Sequence, residues 1–165
     1  MVPLKSKSSY IKMGVSMEPI IWEVYLCDLY DLLRYDRGEI SWNDVKKRKV
    51  RCLVDTGASR TLITRKHLKG LSYISRGKRE IHGICKEPVD ANLVRLGIAI
   101  RVDDEILGAI DDVFLLIDEE EGRRITEVLQ TMDAEAILGR TSMDALGIRP
   151  EPATKKPQRA PAVIL

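Results

Sequence analysis

Hydrophobic and polar side chains alternate most regularly over residues 91–102. Val94, Leu96, Ile98, Ile100 and Val102 share one face there, while Arg95, Gly97, Ala99 and Arg101 share the other, the period-2 pattern of a strand with a buried face. Val50, Cys52 and Val54 alternate with Lys49, Arg51 and Leu53 in the same way, so a second strand runs up to Asp55. After Thr56-Gly57-Ala58-Ser59 the extended pattern resumes at Thr61-Leu62-Ile63-Thr64. From Ile20 a run of aromatic and branched residues predicts a strand over 20–27. Its end is open, because Leu26, Leu29, Tyr30 and Leu33 also fit helical spacing until Asp36-Arg37-Gly38 breaks the run.

Residues 64–71 predict a turn and a short helix before Tyr73-Ile74. A strand over 79–85 is joined to the one at 91–102 by the polar linker Lys86-Glu87-Pro88-Val89-Asp90. Asp103-Asp104-Glu105 marks a turn, and Val113 to Ile117 reads as a more buried strand. Glu119-Glu120-Glu121-Gly122 breaks the pattern again. Ile125, Val128, Leu129 and Met132 then recur at helical spacing, and Ala136-Ile137-Leu138-Gly139 reads as a buried strand. Thr141 or Ser142 is placed to cap a helix through Met143, Ala145 and Leu146 that stops at Gly147. The boundaries follow: an arm over 1–19 with a short strand near residues 10–13, a domain over 20–148, and a basic tail over 149–165. That tail holds four of the seven prolines and is expected to be an extended, poorly ordered linker.

A chain of 165 residues suffices for one core, or one core with an insertion. The net charge of +2 is small and both signs are mixed along the chain, so nothing favours nucleic acid as a partner. The basic run Lys46-Lys47-Arg48-Lys49 reads as a solvated strand end. No apolar run reaches the roughly 18 to 20 residues of a membrane span, and the N-terminus lacks the apolar core of a signal peptide. A cytoplasmic protein with no membrane partner is expected. Cys27, Cys52 and Cys85 are odd in number and lack metal-type spacing, which argues for reduced thiols over disulfides or zinc. Side-chain amides are confined to Asn43, Asn92, Gln130 and Gln158 in a chain that is 32% charged, a bias found in thermophiles.

Candidate chemistry concentrates at Asp55. A strand delivers this carboxylate onto a turn of small residues that lets other groups approach closely. Leu53-Val54-Asp55-Thr56-Gly57-Ala58-Ser59, with Ile137-Leu138-Gly139-Arg140 and a helix downstream, resembles the active-site and C-terminal signatures of the retropepsin-like aspartic proteases, the retroviral protease family and its cellular relatives. The resemblance covers residues 46–148, specifically at both ends and weakly between.

The resemblance implies an all-β fold: a closed or partly open barrel with one or two short helices, active only as a homodimer. It implies an aspartic endopeptidase acting on peptide or unfolded protein without metal or cofactor. Two carboxylates sharing one proton can deprotonate a water and protonate a carbonyl oxygen, because like charges a few ångströms apart do not both ionise. This chain carries one motif, so the second Asp55 must come from a second copy on a two-fold axis. By the same resemblance Thr56 ties the two loops together, Gly57 lies where substrate passes, and Ala58 and Ser59 complete the loop. Ile137, Leu138, Gly139 and Arg140 brace it from behind, and Ile81, His82, Gly83 and Ile84 form the candidate flap.

Two departures stand out. Retroviral members carry Asp where this chain has Ser59, and that Asp pairs with the arginine matching Arg140. The flap candidate also has a single glycine near its tip. Both leave room for a second function, a dimeric peptide-binding or scaffold module with little turnover. Elsewhere the residues read as structural: His67 and His82 as surface histidines, Cys52 as a small core residue, Trp22 and Trp42 as packing groups, and the acidic runs at 103–105 and 118–121 as solvated turns. The apolar end Ala162-Val163-Ile164-Leu165 has three readings: disorder, an interfacial strand, or a substrate mimic on a flexible tether.

Overall fold

The computed structural model describes residues 18–83 and 87–161. β1 (Ile21–Cys27) pairs antiparallel with β2 (Lys47–Val54), placing Trp22 opposite Cys52 and Val24 opposite Val50. β2 runs parallel to β7 (Ala136–Leu138), and β7 is antiparallel to β3 (Leu62–Thr64). β3 is parallel to β6 (Glu105–Leu116), which is antiparallel to β5 (Val89–Val102). β5 returns to β1 through Tyr25 opposite Ala99 and closes a six-stranded barrel. β4 (Ile74–Ile81) stands outside this circuit, paired only with β5 in the sheet order. Within the barrel, closure removes the open strand edges that would otherwise offer unpaired backbone groups, while the outer edge of β4 has no strand partner among the described residues.

The alternation in β5 has the expected consequence. Val94, Leu96, Ile98, Ile100 and Val102 are all buried and meet Val24, Leu26, Val50, Cys52 and Leu138 in one cluster. The opposite face of β5 is also covered, since Ala99 packs with Cys27, Leu32 and Val45. Leu32 belongs to α1 (Leu29–Asp36), so the open question at the end of the first strand resolves as a strand to Cys27 and a helix from Leu29. Asp28 makes the break. Its carboxylate accepts from the N–H groups of Tyr30 and Asp31 at 3.1 Å each and of Ser72 at 2.8 Å. Burial disfavours the charge, yet these backbone donors outweigh it and hold the carboxyl below the usual carboxylate range. Trp22 is buried, and Trp42 stacks edge-on to Tyr25 with ring centres 5.3 Å apart, so both tryptophans are packing groups as read.

Several sequence expectations need correction. The strand expected at residues 113–117 begins at Glu105, because every residue of β6 finds a partner along β5 from Val102 to Ala91. The strand expected at 79–85 begins at Ile74 and ends at Ile81. The acidic run at 118–121 is no turn. Asp118 caps α2 (Glu119–Gln130) by accepting from the Glu121 N–H at 3.0 Å, and the glutamates occupy the first turn, where the helix dipole favours negative charge. α3 (Arg140–Leu146) starts from Gly139, so Thr141 and Ser142 lie inside its first turn and neither caps it. Its stop at Gly147 is as expected, with φ at 68°.

The tail is not an unstructured linker up to Pro161. β8 (Ile148–Pro150) and β9 (Pro157–Arg159) form a hairpin. The Trp22 indole N–H donates to the Lys155 carbonyl at 2.9 Å, the Ala160 N–H donates to the Gly147 carbonyl, and Arg159 pairs with Glu105. His67 is not a surface residue either, being only 2% exposed. It sits in a single 3₁₀ turn where its Nδ1 accepts from the Thr64 N–H. The expected strand near residues 10–13, Ile84 and Cys85, and the last four residues lie outside the described part of the chain. Among the described residues no helix is long and apolar enough to cross a membrane.

Candidate active site

β2 and β7 lie side by side and parallel, with Leu53 opposite Ile137 and Val54 opposite Leu138. Both strands end at this level, and the two chain segments leaving them stay in register. The Asp55 N–H donates to the Leu138 carbonyl at 3.0 Å, the Arg140 N–H to the Ala58 carbonyl at 2.8 Å, and the Thr141 N–H to the Ser59 carbonyl at 3.0 Å. The loop carrying Asp55 is thus fastened along its length to Leu138, Arg140 and Thr141. The four residues assigned to bracing, Ile137, Leu138, Gly139 and Arg140, are brought to the loop by these pairings.

Within the loop, the Ala58 N–H donates to the Asp55 carbonyl at 3.1 Å and closes a tight turn. The Gly57 N–H donates to the Asp55 carboxylate, Oδ1, at 3.0 Å. That bond aims the carboxylate along the turn and leaves its other oxygen available. Asp55 is half-buried, Thr56 and Ser59 are exposed, and Ala58 is buried. Leu53, Ala58, Leu62 and Ile137 form the apolar support beneath the turn.

The candidate flap is divided between described and undescribed residues. Ile81 ends β4 opposite Val89 and is buried in the same cluster as Ala58 and Ile137, so the base of the β4–β5 hairpin reaches the loop's apolar support. The rest of β4 is exposed from Ile74 to Glu80. His82 is exposed, with Nε2 3.1 Å from a Glu80 oxygen, and Gly83 adopts a positive φ of 89°. Ile84 lies outside the described residues.

Residues 59 and 140 hold no ion pair with each other, as their identities require, and among the described residues no carboxylate pairs with the Arg140 guanidinium. The neighbouring Arg60 is engaged instead. Its Nη1 donates to the Asp112 carbonyl at 2.9 Å and lies 3.9 Å from Asp111 Oδ1. Sequence reasoning missed a second group of polar residues behind the loop: Thr61, Asp111 and Ser142. Thr61 and Ser142 are fully buried, and their hydroxyl oxygens are 2.6 Å apart. Two hydroxyls flanking the motif were the available signal, but nothing local connects them to Asp111 on β6. Among the described residues no group of three or more His, Cys, Asp or Glu side chains is placed to hold a metal ion.

The chain matches no family model and no curated protein. The class defined by the structure is a closed six-stranded β-barrel with few short helices, bearing a carboxylate on a braced turn.

Proposed function

We propose that this chain is one half of a homodimeric aspartic endopeptidase, with Asp55 of two copies sharing a proton across a two-fold axis. The observation that carries the reading is the Asp55 turn itself. A half-buried carboxylate sits on a turn that is hydrogen-bonded to β7 and the start of α3, with one of its oxygens held by the Gly57 N–H. Such a carboxylate is preorganised, since little reorganisation is needed when charge develops during reaction. The exposed Thr56 beside it is free to meet a second copy.

In this reading one carboxylate of the pair is ionised and accepts a proton from the attacking water, while the other donates its proton to the carbonyl oxygen of the scissile peptide. The substrate is an extended peptide of an unfolded protein with apolar side chains near the cleaved bond. Turnover is favoured at acidic to mildly acidic pH, where the pair retains one proton. A transition-state analogue carrying a hydroxyl at the position of the attacked carbonyl should bind more tightly than the matching peptide.

Incubating the protein with an unfolded polypeptide between pH 3 and 7, while following its oligomeric state by sedimentation, tests the proposal. Fragments should appear with the wild type and vanish with Asp55→Asn at unchanged fold and dimerisation. Undiminished cleavage by that variant would sink the assignment. Peptide binding by a dimer that yields no fragments would point to the scaffold module, for which the motivating observation is that no carboxylate among the described residues pairs with the Arg140 guanidinium.

A further inference from the structure

We propose that Asp111 is a positioning residue for the Asp55 loop, acting through a directional chain of buried hydroxyls. Its effect on turnover rests on the protease reading; its effect on the loop does not. Asp111 lies on β6, outside the motif and outside the bracing strand. Its Oδ2 accepts from the Thr141 hydroxyl at 3.0 Å and from the Ser142 hydroxyl at 2.8 Å.

The proton count sets the direction. A serine hydroxyl has one proton to donate, and that of Ser142 goes to the Asp111 carboxylate. The 2.6 Å contact between the Ser142 and Thr61 hydroxyls is therefore donated by Thr61. Thr61 then has lone pairs left for the Gly139 N–H, which donates to its Oγ1 at 3.1 Å. The sequence Gly139 N–H to Thr61 to Ser142 to Asp111 runs one way and ends on an acceptor-only group. Charged acceptors strengthen such bonds, and chained bonds polarise one another. Thr61 and Ser142 are both shielded from solvent, so no competing water sets their orientation.

The chain links the exit of the Asp55 loop, at Thr61, to the segment that holds its other residues, at Gly139. From there the Arg140 and Thr141 N–H groups reach the Ala58 and Ser59 carbonyls. The other Asp111 oxygen faces Arg60, itself a loop residue, at 3.9 Å. The neighbouring Asp112 is taken up by Arg95, with N–O distances of 2.8 and 3.3 Å. Thr141 provides an internal control. Its hydroxyl also binds Asp111 but has no connection through Ser142 to Thr61.

The test compares D111A, D111N, S142A, T141A and the double variant D111A/S142A by peptide-cleavage kinetics well below each melting temperature, and by hydrogen exchange at the Arg140 and Thr141 amides. D111A and S142A should each lower kcat about 10- to 100-fold, the cost of a slightly misplaced reacting group, with KM little changed. The double variant should be no worse than either single, as for residues acting as a unit. D111N, which keeps an accepting oxygen, should recover most of the rate, and T141A should stay within about threefold of wild type. Exchange at both amides should quicken in D111A and S142A and not in T141A.

Equal losses in T141A and S142A, additive losses in the double variant, or unchanged exchange would overturn the proposal, since a merely structural contact predicts those outcomes. If the wild type cleaves nothing, the protease reading fails and exchange alone decides the positioning role. If D111A does not fold, S142A against T141A makes the same comparison.

Discussion

Gly139 lies directly against the backbone of Arg60: a Cβ at position 139 would overlap the Arg60 carbonyl and approach the Thr61 nitrogen to 2.7 Å. The absence of a side chain there lets the bracing segment and the Asp55 loop hydrogen-bond to each other. Because the obstacle is backbone, no change of rotamer relieves it. Gly139→Ala should cost on the order of 3 kcal/mol, the upper range for overpacking a core. For a chain of this size that lowers the melting temperature by about 6 to 12 °C. Calorimetry measures it, and a variant as stable as wild type would show that the loop moves freely away from Gly139.

His67 imposes an acid limit on stability. Burial, with a smaller contribution from the Lys66 charge, pushes its pKa down to about 4, and its Nε2 has no hydrogen-bond partner among the described residues. The folded state therefore keeps the imidazole neutral, while the unfolded chain takes up a proton below pH 6.5. Stability from this source is complete above pH 6.5 and declines as pH falls from there to about 4. The loss approaches about 3 kcal/mol at about 1.4 kcal/mol per pKa unit. Urea midpoints at pH 7, 5.5 and 4.5 should follow this decline, and His67→Asn should flatten it by about one proton. The acid-favoured turnover proposed above would thus meet declining stability at the low end of its pH range.

The tail contributes to the fold. Trp22→Phe removes the indole donor to the Lys155 carbonyl and, because the phenyl ring is smaller, also leaves a cavity in the core cluster. It should cost more than the about 1 kcal/mol of an ordinary hydrogen bond alone. Truncation after Pro150 removes the Lys155 carbonyl together with β9 and should lower the melting temperature without creating that cavity. Equal melting temperatures for wild type and the truncated chain would contradict the docked hairpin.

Cys27 and Cys52 should be inert in the native protein. Burial raises both thiols to about 12; Lys47 partly offsets the effect at Cys27, and Glu135 adds to it at Cys52. At pH 8 the reactive thiolate is therefore scarce as well as shielded. Alkylation with iodoacetamide followed by peptide mass mapping should leave both unmodified until denaturant is added.

The chain's own sequence determined its local features. Period-2 alternation located β2 and β5, small residues after Asp55 marked a turn, and Gly147 marked the end of α3. Each of these depends on neighbours within a few positions, which is why it can be read along the chain. Tertiary structure decided the rest, because the deciding partners are far away in sequence. His67 looked exposed as a polar residue between Lys66 and Leu68, yet its turn packs it inward. The acidic run after Ile117 looked like a break until Asp118 capped it as a helix. The proline-rich tail looked disordered until Lys155 met Trp22, 133 positions away. At the candidate site the carboxylate and its bracing strand were legible as motifs, whereas Asp111 was not. Its hydroxyl partner Ser142 lies 31 residues further on, and only the pairing of β3 with both β7 and β6 brings β6 and α3 together behind the Asp55 loop.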